Sequence, residues 1–185
     1  MFQSDAVFPW KTVLENVAAG PRYHRESNRD ARLKARDWIA RVGLAGFEDR
    51  YPYQLSGGMR KRVALAQSLI NGPRILLMDE PFSALDVQTR TLMENELLQL
   101  WSAKRATVVF VTHDLEEAIA LADRVVVITA GPGTVKGVYR VDLPRPRNVA
   151  EIRFQPEFSR IYQEIWDDLR DEVLVSYERS KRSVS

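Results

Sequence analysis

Three short stretches of this sequence bring together residue types that handle phosphate. The first is Leu55-Ser56-Gly57-Gly58-Met59, which leads into helix-forming residues from Arg60 to Asn71. Paired glycines let a backbone approach a ligand closely, Ser56 can cap the helix, and the free amides and positive dipole end there favour anions. The plainer alternative is a capped helix after a flexible loop. The second stretch is Asp79-Glu80-Pro81, directly after Ile75-Leu76-Leu77-Met78. Carboxylates that end an apolar strand need a cation or hydrogen-bond donors. As chemistry, Asp79 would hold Mg2+ through water and Glu80 would polarise the water attacking a γ-phosphate; as structure, they are two solvated acids at a strand exit. The third is Thr112-His113-Asp114, after Thr107 to Val111. His113 could donate to a transferring phosphoryl group and orient the water, or serve structurally.

These residues must be positioned by elements that the pattern already outlines. From Thr12 to about Asn71 the period is helical: Thr12-x-x-Glu15 reads as a capping box ahead of Val13, Leu14 and Val17, with Gly20-Pro21 as the stop. Ala31, Ala35, Trp38, Ile39 and Val42 line one face of a second helix closed by Gly43, and Met59, Val63, Ala66 and Ile70 line a third ended by Gly72-Pro73. The period then changes. Ile75 to Met78, Thr107 to Val111 and Val125 to Thr129 are short apolar runs of the kind buried in parallel sheets. A helix with Met93, Leu97, Leu100 and Trp101 on one face separates the first two, and Leu115 to Ala122 separates the second pair. That order predicts consecutive βαβ crossovers, an α/β fold whose ligands collect at the carboxyl ends of the strands. Asp114-x-x-Glu117 can cap the helix after His113. Val135 to Val141 reads as an antiparallel edge strand, Pro144 to Arg147 as an extended linker, and Phe154 to Leu169 as an amphipathic helix that packs on the domain. The tail from Ser180 is polar and expected to fray.

Composition narrows the function classes. Over 185 residues, 27 lysines and arginines against 25 acids give a net charge of +2, with no polybasic block, which disfavours nucleic-acid binding. The absence of cysteine removes disulfides, thiolate metal sites and cysteine nucleophiles. No apolar run reaches the roughly 18 residues of a membrane helix, and the N-terminal residues have no signal-peptide pattern.

In order and spacing, Leu55-Ser56-Gly57-Gly58, Asp79-Glu80-Pro81, Ser83-Ala84-Leu85-Asp86 and His113 resemble the signature, Walker B, D-loop and switch histidine of the ATP-binding-cassette (ABC) ATPases. Gln3, ahead of Phe8-Pro9-Trp10, is similar to the Q-loop glutamine. Met59 in the fifth signature position and Thr112 to Ala122 look most like the nitrate, sulfonate and taurine importer branch. The resemblance implies a P-loop NTPase-type core with a helical subdomain over about 12–72, a Walker B to H-loop core over about 73–147, and a C-terminal helix and tail over 148–185. It implies ATP and Mg2+ as cofactors, with Asp79 and Gln3 at the metal, Glu80 and His113 as catalytic residues, and Ser56, Gly57 and Gly58 touching a nucleotide held by a second ATPase subunit in a head-to-tail dimer. Asp86 would cross that dimer interface. A permease subunit would dock near Phe8 to Trp10, a solute-binding protein would take part indirectly, and the protein would sit at the cytoplasmic face of the membrane.

One expected part is missing from the chain. No G-x-x-x-x-G-K-[ST] segment occurs, and the resemblance places that loop ahead of the Q-loop, as it does the aromatic that stacks on adenine. The expectation is an N-terminally truncated cassette, inactive alone. Four lost charge-assisted bonds of about 1.5 kcal/mol or more each cost roughly four orders of magnitude in ATP affinity. Two other readings compete: a non-catalytic partner of an intact ATPase, and a chromosome-maintenance or repair ATPase. The latter is disfavoured because Gln3 and Leu55 are joined by short helices rather than a long coiled coil.

Overall fold

Thr12 begins the first helix, α1 (Val13–Tyr23), through the capping box: its hydroxyl accepts from the Glu15 amide at 3.3 Å and the Glu15 carboxylate accepts from the Thr12 amide at 3.0 Å. The computed structural model describes residues 1, 7–104 and 106–182, the backbone alone at 103, 104 and from 174 onward. Gly20-Pro21 does not stop α1, which continues through Pro21 to His24 as its C-cap. A Cβ on Gly20 would lie 2.3 Å from the end of the exposed Asn71 side chain. Ser27 caps α2 (Asn28–Arg41), and Gly43 turns the chain with φ +68°. Ser56 caps α3 (Gly57–Leu69). The three helices pack on one another through Val13, Val17, Ala31, Ala35, Ile39, Val63, Leu65, Ala66 and Ile70, all fully buried.

The strand β1 (Ile75–Asp79), helix α4 (Val87–Lys104) and strand β2 (Thr107–Val111) form one parallel βαβ unit, with Ile75 opposite Thr107 and Asp79 opposite Val111. The chain from Met1 to Val111 is one compact unit. The first of the apolar runs is covered on one face: Leu76 and Met78 are buried, whereas Ile75 and Leu77 are each 63% exposed. Alternate side chains point to opposite faces of a sheet, and among the described residues of this unit only one face of β1 is covered.

Residues 112–185 form a second unit. It holds α5 (Leu115–Leu121), strands β3 (Arg124–Ile128) and β4 (Val135–Arg140), the short α6 (Val149–Ile152) and the long α7 (Pro156–Arg182). The expected return strand is present: β4 runs antiparallel to β3, with Arg124 opposite Arg140. However, β3 pairs with β4 and β1 with β2 as two separate two-stranded sheets, not the single run of crossovers that the order suggested. Phe158, Ile161 and Ile165 bury the apolar stripe of α7 against α5, β3 and β4. Phe154 precedes α7, is 86% exposed and does not join that stripe.

The segment read as a linker is anchored instead. The Arg147 side chain is 1% exposed and donates to the carbonyls of Ala122 (2.7 Å), Leu143 (3.1 Å) and Ala120 (3.2 Å), with longer contacts to Val141 and Ile119. Arg145 adds bonds to the Leu121 carbonyl and to Asp123. Both arginines sit where the C-terminal carbonyls of α5 lack intrahelical partners and carry the negative dipole end.

Candidate functional site

The N-terminus of α3 is an open cradle of backbone amides. The Ser56 hydroxyl accepts from the Met59 amide at 3.2 Å, and its carbonyl accepts from Arg60. The first amides of any helix have no partner one turn back, so those of Gly57 and Gly58 face outward with the positive dipole end. The two glycines are there for different reasons. A Cβ on Gly58 would lie 2.9 Å from Thr89 Cγ2, so Gly58 is demanded by packing against the first turn of α4. A Cβ on Gly57 would meet nothing closer than Arg60 Nη2 at 3.9 Å. Among the described residues no neighbour requires glycine at 57. Arg62 fixes the helix behind it, bonding the Val42 carbonyl at 3.0 Å and Glu96 of α4 at 2.7 Å.

Asp86 arrives beside this cradle through Gly58 and Thr89. Its Oδ1 accepts from the Thr89 amide at 2.9 Å, and that bond, followed by one from the Thr89 hydroxyl, holds the exposed carboxyl below its usual pKa. The structure therefore brings Ser56, Gly57, Gly58 and Asp86 onto neighbouring first turns of α3 and α4.

Asp79 closes β1 and is exposed, while Glu80 is half-buried. Glu80 has φ +40°, a left-handed conformation that an L-residue holds at a cost of about 1–3 kcal/mol. Its amide donates to the Val111 carbonyl at 2.8 Å, and its carbonyl accepts the Ser83 hydroxyl at 3.1 Å. Phe82 beneath this turn is fully buried and tilts against Phe110, ring centres 6.2 Å apart. The left-handed residue thus sits in a turn pinned through its own amide and carbonyl.

His113 belongs to the second unit, just before α5, and is exposed. The capping reading holds there: Asp114 Oδ1 accepts from Glu116 and Glu117, and its own amide donates to Thr112 Oγ1. Gln3 lies outside the described residues. Among the described residues no group of three His, Cys, Asp or Glu side chains could hold a metal by itself. A lone Asp79 still fits Mg2+, which commonly binds through one or two carboxylates plus substrate phosphates and water.

Sequence reasoning missed Thr89, Asn16 and Arg147. Asn16 is fully buried in the first turns of α1 and bonds the turn that holds Phe8 and Trp10. The signal available was a polar amide among Val13, Leu14 and Val17, on a helix face that otherwise reads as apolar. Trp10 itself is 70% exposed. In the loop before α3, Tyr51 and Tyr53 stack 5.8 Å apart beside a shallow hollow bordered by Gly46, Asp49, Arg50 and Gln54.

Residues 1–83 match the family model described as ABC transporter. The chain is 49% identical over 176 residues to an uncharacterised ABC transporter ATP-binding protein of Methanocaldococcus jannaschii, covering 95% of this chain and 64% of that protein. It is 41% identical over 179 residues to the aliphatic sulfonates import ATP-binding protein SsuB of Bacillus cereus, covering 97% of this chain and 65% of that protein. The corresponding protein of Bacillus anthracis is 42% identical over 164 residues, 89% of this chain and 64% of its own length. The chain thus spans slightly less than two thirds of the relatives it matches.

Proposed function

This chain belongs to the ABC transporter family, and on that premise we propose that it serves as the ATP-binding and hydrolysing subunit of an importer for nitrate, sulfonate or taurine-type anions. The open α3 N-terminus carries the reading: Gly57 is a glycine that no neighbour among the described residues requires, set among outward amides and beside Asp86. The names of the Bacillus relatives support the solute class.

ATP with its Mg2+ supplies the phosphoryl group and its charge neutralisation. The chain's own residues take the following roles. Ser56 holds the helix start in register, and the amides of Gly57 and Gly58 donate to phosphate oxygens of a nucleotide held by a second ATPase subunit. Asp86, kept ionised by the Thr89 amide, reaches across to that subunit. Asp79 holds the metal, Glu80 accepts the proton of the attacking water, His113 donates to the transferred group, and Gln3 senses metal or water. The helical segment 12–72 presents the signature, 73–147 carries the Walker B and histidine elements, and the C-terminal helix of 148–185 packs on α5, β3 and β4. In this reading the exposed Trp10 and its turn face a permease subunit, with the protein on the cytoplasmic side of the membrane. Among the described residues no helix is long and apolar enough to cross a membrane.

The test mixes the purified chain with an intact sulfonate-type ATPase subunit whose own signature serine and glycine are disabled. Wild-type chain is expected to restore ATP turnover, and Gly57→Ala to abolish the rescue with no loss of folding stability. Rescue that survives Gly57→Ala refutes the cradle assignment. Binding without any rescue favours the non-catalytic partner.

A further inference from the structure

Asn16 holds the Phe8–Thr12 turn in a way that only a carboxamide of its length can. Its Oδ1 accepts from the Phe8 amide at 2.7 Å while its Nδ2 donates back to the Phe8 carbonyl at 3.1 Å. This is a two-bond ring like that between paired strands, with a side chain standing in for one backbone. The same Nδ2 lies 3.0 Å from the carbonyls of Lys11 and of Thr12. The turn is closed by the Lys11 amide on the Phe8 carbonyl, and the Lys11 ammonium lies 4.5 Å above the Phe8 ring. Phe8 and Trp10 rings are 5.6 Å apart, with Trp10 outward.

The helix turn that carries Asn16 is bonded equally firmly to the loop that precedes the signature. The Val13 and Leu14 amides, which would otherwise be orphans at the helix start, donate to the carbonyls of Arg50 (2.8 Å) and Glu48 (2.9 Å). From Arg50 the chain has little slack before Ser56. A 3-10 turn spans Pro52–Gln54, Leu55 is buried, its amide donates to Pro52, and its carbonyl accepts Arg60 Nη1 at 2.8 Å. Hydrogen bonds, joined by the short covalent stretch after Arg50, therefore lead from the Phe8–Trp10 turn through Asn16 and the first turn of α1 to the α3 cradle.

We propose that Asn16 is a positioning residue that makes the outward Trp10 turn and the Ser56–Gly58 cradle move as one piece, so that a membrane subunit pressing on the first resets the second. The proposal rests on reading that turn as permease-facing. Asn16→Asp is the sharpest perturbation, because it preserves shape and the acceptor for Phe8 but replaces every donation to a carbonyl by repulsion. Asn16→Ser, which can satisfy one partner at most, stands in if the aspartate variant does not fold. Ala35→Gly, in the buried face of α2 and away from both segments, is the control for destabilisation alone.

In amide exchange of the full chain read by mass spectrometry, the Asn16 variants are expected to speed residues 7–12 and residues 48–58 together by about tenfold or more, leaving α2 within about twofold. Ala35→Gly should do the reverse. In the assembled transporter, Asn16→Asp should leave KM for ATP within about twofold while removing permease stimulation of kcat. Loosening of 7–12 with 48–58 unchanged overturns the proposal, as does an equal loss of stimulation in Ala35→Gly. If the two segments loosen together but the wild-type complex shows no permease stimulation, the link through Asn16 stands and the importer assignment fails.

Discussion

Replacing Arg147 by methionine removes the guanidinium that gathers the loose end of α5 and keeps most of its volume. Three backbone carbonyls then lose close partners: Ala122 at 2.7 Å, Leu143 at 3.1 Å and Ala120 at 3.2 Å. Each orphaned buried acceptor costs about 1–3 kcal/mol, so the loss begins near 3 kcal/mol. An opposing effect returns part of any larger figure. Burial, and then the neighbouring Arg145, push the Arg147 pKa down to about 10, with Asp123 acting the other way from 3.7 Å. Removing a buried charge of this kind recovers desolvation energy. The expected net loss is about 3 kcal/mol, a large share of a typical domain's 5–15 kcal/mol. Urea unfolding of the full chain followed by circular dichroism reads it as a lower midpoint at unchanged slope. Arg147→Lys, with three donors on a compact ammonium in place of a planar fork, should recover about half of that loss. Arg145→Met removes a bond to the Leu121 carbonyl and an ion pair with the exposed Asp123, and should cost about 1 kcal/mol or less beyond that carbonyl's share. A loss below about 1 kcal/mol for Arg147→Met, or one no larger than that for Arg145→Met, would refute the idea that this arginine clamps α5.

Two further outcomes follow from the same geometry. Gly58→Ala places a methyl group 2.9 Å from Thr89 Cγ2 and should cost about 1–3 kcal/mol through overpacking; adding Thr89→Ser, which deletes that methyl but keeps the hydroxyl toward Asp86, should restore most of it in a double-mutant cycle. Tyr139 donates to Asp168, and this bond, then burial, raises the phenol pKa from 10.0 to about 12. Because the folded value lies above the unfolded one, the contribution is complete below the unfolded pKa of 10.0 and is lost as pH rises through about 12. Wild-type urea midpoints should therefore fall across that window, and Tyr139→Phe should remove this component of the fall; an unchanged slope in the variant would count against the bond.

The helical first third was legible because its signals are local. Thr12 with Glu15, Ser56 and the turn glycines Gly43 and Gly72 act within a few residues of the backbone groups they satisfy. Pro21 misled because a proline in the last turn of a helix and one just beyond it look alike in sequence. The apolar runs of β1 and β2 marked strands, but which faces are covered depends on neighbours that no local pattern encodes.

At the site, residue types and order along the chain were enough to single out Ser56, Gly57, Gly58, Asp79, Glu80 and His113, because phosphate chemistry uses few groups and uses them at strand ends and helix starts; Asp86 came only from the family resemblance. Tertiary structure alone decided that Gly58 serves packing while Gly57 stays open, and that Glu80 holds a left-handed backbone. It also decided that Arg147 is a buried clamp and not part of a solvated linker. The reason is physical. Donors and acceptors in a chain are known from its letters, but which of them must find one another is set only when burial removes water as the alternative partner.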